Sequence, residues 1–197
     1  MACREFFEAL PIGKDAHQRA GLIDKAHPAA CCEAESVSSH SKGVIGDDEF
    51  AIRYIFSPIH LDEDGTVNAA AFSDVKDKGL SCERSRQQVA PPALHERGEV
   101  QAQSYNEDND NAGKPRRTYV GTVQVQAAAV RAIICEVSKV RAFGIYDTAL
   151  PDNSDHVDVF QVLTGPSRPG QSRLRKKLRD TFLESGFHPK PARPVAR

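Results

Sequence analysis

The run Phe50-Ala51-Ile52-Arg53-Tyr54-Ile55-Phe56 constrains this chain more than any other segment. Its β-branched and aromatic side chains suit a pleated sheet better than a helix, and Pro58 closes it, so it predicts a strand. Side chains alternate along a strand. Phe50, Ile52, Tyr54 and Phe56 therefore share one face, while Ala51, Arg53 and Ile55 share the other, which sets an arginine among apolar neighbours. Further strands are expected at Thr118–Val125, at Ala142–Tyr146 and at His156–Leu163, the last two separated by the turn Pro151-Asp152-Asn153 and so hairpin partners or close neighbours. The segments Ala69–Phe72 and Gly79–Cys82 are long enough only for a brief strand or helical turn.

Helical spacing is weaker. Residues 4–10 predict a short helix ended by Pro11 and Gly13, and Val130, Ile133, Ile134 and Val137 fall at i, i+3, i+4, i+7. Ser172 is placed to cap a helix reaching Ser185, with Leu174, Leu178 and Phe182 as its apolar stripe and Gly186 beyond its end. No β-α-β unit recurs, so the expected class is α+β: a small mixed or antiparallel sheet with flanking helices and a basic amphipathic C-terminal helix. A length of 197 residues allows one domain. Residues 1–48 read as an irregular N-terminal arm, 49–167 as the core, and 168–197 as the basic helix and an extended, proline-containing tail. Residues 85–117 read as a long solvated insertion in the core, with a helix around 93–103, because large apolar side chains are sparse there.

Several function classes fall away. Every apolar stretch is broken by charge well short of the ~20 residues a membrane span needs, so no membrane partner is expected. The charged segment Arg4-Glu5-Phe6-Phe7-Glu8 does not resemble a signal peptide, and a cytoplasmic chain is expected. The cysteines at 3, 31, 32, 82 and 135 are odd in number and irregular in spacing, and read as reduced thiols. Cys31 and Cys32 point apart in an extended chain, which speaks against a shared tetrahedral site with His27 and His40, so neither metal nor cofactor is expected. An EF-hand alignment on Asp62, Asp64 and Gly65 puts Ala71 where a bidentate glutamate is required. Gly-rich phosphate loops, G-x-S-x-G and H-E-x-x-H are absent from the sequence, and Cys82 lacks a nucleophile signature.

Charge is segregated along the chain. Residues 168–197 hold nine Lys or Arg and two acidic residues, leaving the rest at -8 within a total of -1. Arg173, Arg175, Lys176, Lys177 and Arg179 surround the apolar stripe of the C-terminal helix and would neutralise a polyanion, either nucleic acid or an acidic protein surface. The competing reading packs the same cations on the chain's own acidic body. The leading expectation is an accessory protein, a subunit of a bacterial complex, that binds nucleic acid or another polyanion through this helix.

A second constellation is Ile52-Arg53, Ser57-Pro58-Ile59-His60, Ala69-Ala70-Ala71-Phe72-Ser73, Leu80-Ser81-Cys82-Glu83-Arg84 and His156. This order resembles small uncharacterised bacterial proteins carrying an Arg strand, a Pro-x-His, an Ala-Phe segment and a Leu-Ser turn over roughly residues 50–163, a resemblance that implies no activity. An arginine strand, a later serine and a glutamate such as Glu83 or Glu136 also resemble ADP-ribosyltransferase-like folds, although the Ser-Thr-Ser and paired-glutamate motifs are missing. That resemblance implies Arg and Ser holding NAD and Glu orienting the ribose. The chemistry alone supports the alternative expectation of an enzyme for a nucleotide or NAD-like phosphate substrate. In it Arg53 grips phosphate, Ser81 assists, and His60 or His156 acts as general acid or base.

Overall fold

The computed structural model describes residues 2–110, 112–163 and 165–192. The chain begins with α1 (Cys3–Glu8), a 3-10 helix (Gly13–Gln18), α2 (Arg19–Ala26) and a second 3-10 helix (Pro28–Ala34). Next come β1 (Phe50–Ser57), a third 3-10 helix (Ala69–Lys76), β2 (Leu80–Ser85), α3 (Pro92–Asp108), β3 (Thr118–Gln126) and α4 (Ala127–Arg131). It ends with β4 (Phe143–Tyr146), β5 (His156–Gln161), α5 (Arg168–Leu183) and the short β6 (His188–Pro189). Six strands form one sheet in the order β4-β5-β2-β1-β3-β6, each antiparallel to its neighbours, so the class is α+β.

The alternation in β1 divides the core. Ala51 and Ile55 join Leu80, Cys82, Val123 and Val159 on one face, beneath Phe72, Val75 and the Leu174-Leu178-Phe182 stripe of α5. Ile52, Tyr54 and Phe56 turn to the other face, where Leu94 and Ala102 of α3 cover them together with Tyr119. Close approach of α3 depends on Gly98, where an added Cβ would come within 2.7 Å of the Tyr119 ring. Over the β4–β5 end, Phe7, Leu10, Ile23 and Val37 pack on Tyr146 and Phe160.

Several expectations are corrected. The N-terminal arm is part of the packed structure: buried Asp147 accepts from Ser36 Oγ and the Val37 amide at 2.8 Å each, and buried Glu33 accepts from Arg131 Nε at 2.8 Å and the Ile145 amide at 3.1 Å. A hydrophobicity count misses such anchors because they are made by carboxylates. The 85–117 stretch likewise contains a layer of the fold, since the small residues Gly98 and Ala102 let α3 lie on the sheet. α4 ends at Arg131, and the expected stripe fails because Ile134 and Val137 are exposed. α5 starts at Arg168 with Ser167 as its cap, accepting from the Gly170 amide five residues before the expected cap at Ser172, because Pro169 fits the first helical turn. Cys3 and Cys32 are disulfide-bonded, with Cα atoms 5.5 Å apart, so these two are not free thiols; folding α1 against the arm brings distant cysteines together in a way spacing does not reveal. Of the tail expected to be extended, residues 193–197 lie outside the described residues.

Candidate functional site

β1 and β2 pair only across Phe50–Ser85, Ala51–Arg84 and Ile52–Glu83. Beyond Ile52, β1 stays with β3 as far as Ser57, while β2 stays with β5. The parting strands create a cleft of about 580 Å³, and Arg53, His60, Ser81 and His156 all line it. Arg53 stands at the point of divergence. Its Nη1 donates to the Ser81 carbonyl of β2 at 2.8 Å and its Nε to the Ala71 carbonyl of the third 3-10 helix at 3.3 Å, so the guanidinium ties the parted strand to that helix. Its Nη2 is 3.9 Å from Asp74, leaving that end weakly committed. Burial lowers the Arg53 pKa, and Cys82, Asp74 and Asp158 oppose the shift; a guanidinium remains charged in either case.

Ser81 and His156 come from adjacent, paired strands. Ser81 Oγ lies 2.8 Å from His156 Nε2, and His156 Nδ1 lies 3.0 Å from the Thr148 carbonyl. A carbonyl only accepts, so the neutral ring carries its proton on Nδ1, and Nε2 accepts from the serine hydroxyl. Thr148 Oγ1, 3.1 Å from the same Nδ1, donates in turn to buried Asp158 at 3.0 Å. The arrangement is a serine, an oriented imidazole and a carboxylate reached through a threonine, which are the elements needed to move a proton away from an attacking oxygen.

His60 plays a different part. Burial, reinforced by the Arg53 and Arg117 charges, pushes its pKa down to about 3, and its Nδ1 accepts from the Phe56 amide at 3.2 Å. The ring is neutral, with its proton on Nε2. Arg19, Lys78 and Arg117 add positive charge to the lining, opposed by Asp74 and Asp158. Arg117 stacks over Tyr105, 3.4 Å from the ring centroid, and its Nε is buried without a partner among the described residues.

Glu83 and Glu136 do not line the cleft. Glu83 is held by Asn153 at 2.8 Å, Arg97 at 3.1 Å and the Tyr54 hydroxyl at 3.3 Å, with burial raising its pKa. Cys82 points into the apolar core, and burial pushes its thiol up to about 12, which disqualifies it as a nucleophile.

The basic helix residues lie away from this cleft. Arg173, Lys176 and Lys177 are exposed, Arg175 and Arg179 are half-buried, and Arg179 pairs with its neighbour Asp180 at 2.6 Å. Among the described residues no carboxylate pairs with Arg173, Arg175, Lys176 or Lys177.

Sequence reasoning missed Arg19, Lys78, Arg117, Thr148 and Asp158. A signal existed for Asp158, an acid two residues from His156 and therefore on the same strand face. Nothing comparable marked Arg19 or Arg117, which reach the cleft from the arm and from the segment between α3 and β3. No protein-family model matches the chain, and comparisons with characterised proteins and with solved structures find no match either.

Proposed function

We propose that this cleft is the active site of an enzyme for a phosphate-bearing substrate of the nucleotide or NAD-like class. The observation that carries the reading is the 2.8 Å contact between Ser81 Oγ and His156 Nε2, set beside Arg53 in a cleft where four cationic side chains face two carboxylates. Arg53, fixed by two backbone carbonyls, presents its remaining N–H groups to a phosphate without further ordering cost. His156 Nε2 takes the Ser81 proton as the serine oxygen attacks a substrate phosphorus; the bond from that phosphorus to its leaving oxygen breaks, and the imidazolium returns the proton to the departing oxygen. Asp158, acting through Thr148, stabilises the imidazolium that forms. ADP-ribosyl transfer is the less favoured variant, because neither candidate glutamate faces the cleft.

The test pairs binding with turnover. Inorganic pyrophosphate, AMP and NAD are titrated into the chain by amide NMR, and conversion is followed by phosphorus NMR. At least one probe is expected to shift the Arg53, His60 and Ser81 amides, and Ser81→Ala and His156→Ala should keep binding while losing turnover. Shifts confined to other surfaces, or turnover unchanged in both variants, reject the reading.

A second reading, polyanion binding by α5 as part of an accessory protein, is favoured by Arg173, Arg175, Lys176 and Lys177, which pair with no carboxylate among the described residues. It requires affinity for nucleic acid or an acidic protein that falls steeply with salt and is lost when these four become Glu. Salt-insensitive association would reject it.

A further inference from the structure

Away from the cleft, the N-terminal arm gathers a group of soft ligands that the enzyme reading does not use. The ligand atoms of Cys3, His27 and Cys32 all lie within 4.8 Å of one another. Cys31 Sγ stands 3.8 Å from His27 Nδ1. In a tetrahedral centre with Zn–S bonds of about 2.3 Å, neighbouring sulfurs are about 3.8 Å apart, so Cys3 and Cys32, bonded to each other here, part on reduction to reach that spacing, and exposed Cys31, which stands outside the group of three, turns in by side-chain rotation. In the 3-10 helix Pro28–Ala34 neighbouring side chains diverge by about 120°, so exposed Cys31 and buried Cys32 approach the group from different sides, Cys31 from beside His27. The surroundings suit a structural site: Cys32 is fully buried, and the Phe6 ring packs edge-on against His27 with centroids 4.6 Å apart.

We propose that, in the reduced chain, Cys3, His27, Cys31 and Cys32 form a zinc site that ties α1 to the arm, and that the Cys3–Cys32 disulfide is the oxidised state of the same group. Opening the disulfide takes two electrons and two protons from a dithiol donor, which leaves as its own disulfide. Zinc then displaces one proton from each of three thiols and accepts a lone pair from neutral His27, giving a closed, singly anionic centre of three sulfurs and one nitrogen. Either state fixes α1, a helix of six residues that is too short to persist on its own. The fold therefore keeps its N-terminal cover over Tyr146 and Phe160 in reducing and in oxidising surroundings, by different bonds.

The experiment uses the whole chain, either oxidised or reduced with a phosphine, equilibrated with zinc sulfate and weighed by native mass spectrometry. The reduced chain is expected to carry one zinc and the oxidised chain none. Cys3→Ser, Cys31→Ser and Cys32→Ser should each weaken zinc binding by about 100-fold or more. Because losing Cys3 also loosens α1, cobalt substitution in the unaltered reduced chain provides an independent reading. Intense visible bands of tetrahedral cobalt with thiolate charge transfer support the site. Reduced chain that takes up no zinc at micromolar free metal, zinc uptake unaffected by Cys3→Ser and Cys32→Ser, or a weak octahedral cobalt spectrum would each overturn it.

Discussion

Replacing His60 by Gln tests whether the cleft floor is electrostatically as closed as its packing implies. His60 is 6% exposed, and burial together with the Arg53 and Arg117 charges depresses its pKa to about 3, against ~6.5 for the unfolded chain. Between those values the unfolded state binds a proton that the native state refuses. The stability contributed by keeping His60 neutral is complete above the unfolded value and drains away as pH falls towards the native one. At about pH 5 the unfolded chain has gained about 2 kcal/mol from this single protonation relative to about pH 7.5, and the native state almost nothing. That figure holds for any native value below about 4, so it does not depend on the size of the shift. Gln retains an oxygen to accept the Phe56 amide but has no proton to take up. Urea unfolding of both proteins at the two pH values should show the wild type losing about 2 kcal/mol more than His60→Gln on acidification. Contributions from the other histidines cancel in the double difference. Parallel losses in the two proteins would refute the argument, because they would mean that His60 protonates in the folded cleft about as easily as in water.

Other substitutions probe the framework. Leu178→Ala, on the buried face of α5 in the main core, should lower stability by about 2–5 kcal/mol in the same urea assay. Gln124 is fully buried on β3 with neither amide atom bonded among the described residues, and Gln124→Met is expected to raise stability by about 1–3 kcal/mol, visible as a higher urea midpoint. Burial raises the Glu49 pKa, but the Arg84 guanidinium at 2.5 and 3.1 Å and the Gly46 amide outweigh it and leave it lowered. Glu49→Gln should therefore destabilise by about 3 kcal/mol at neutral pH and less in acid, where the wild type also loses the pair. Opening Cys3–Cys32, which closes a loop across a separation of 29 residues, should cost about 3.6 kcal/mol in thermal unfolding if metal is withheld.

What the sequence disclosed and what it hid follow from the range of the interactions involved. The two-residue period of β1 is local, so it placed Phe50, Ile52, Tyr54 and Phe56 opposite Ala51, Arg53 and Ile55 without tertiary information. Arg53 among apolar neighbours was an anomaly in that pattern, and such anomalies mark places where the fold bends a rule for another purpose. Its purpose in the fold depends on a gap in the sheet: β1 and β2 part after Ile52, and the guanidinium bonds the Ser81 carbonyl of β2 together with the Ala71 carbonyl of the third 3-10 helix. Nothing in either strand announces that parting. It depends on β2 following β5 while β1 follows β3, which is a matter of strand order, and strand order is decided by long-range packing. The same reasoning explains Arg19 and Arg117. Arg19 lies in an arm that reads as irregular and Arg117 in a stretch that reads as solvated, yet buried carboxylates such as Glu33 and Asp147 fasten the arm, and a glycine–tyrosine contact seats α3. A cleft assembled this way is rigid at its floor, where Arg53 and the Ser81–His156 pair rest on strands, and adjustable at its rim, where Arg19, Lys78 and Arg117 arrive from helices and connecting segments. On the proposed enzyme reading, catalytic groups need the first property and recognition of a substrate's outer phosphates tolerates the second, so that reading requires loss of a rim cation to weaken binding and loss of Ser81 or His156 to stop turnover.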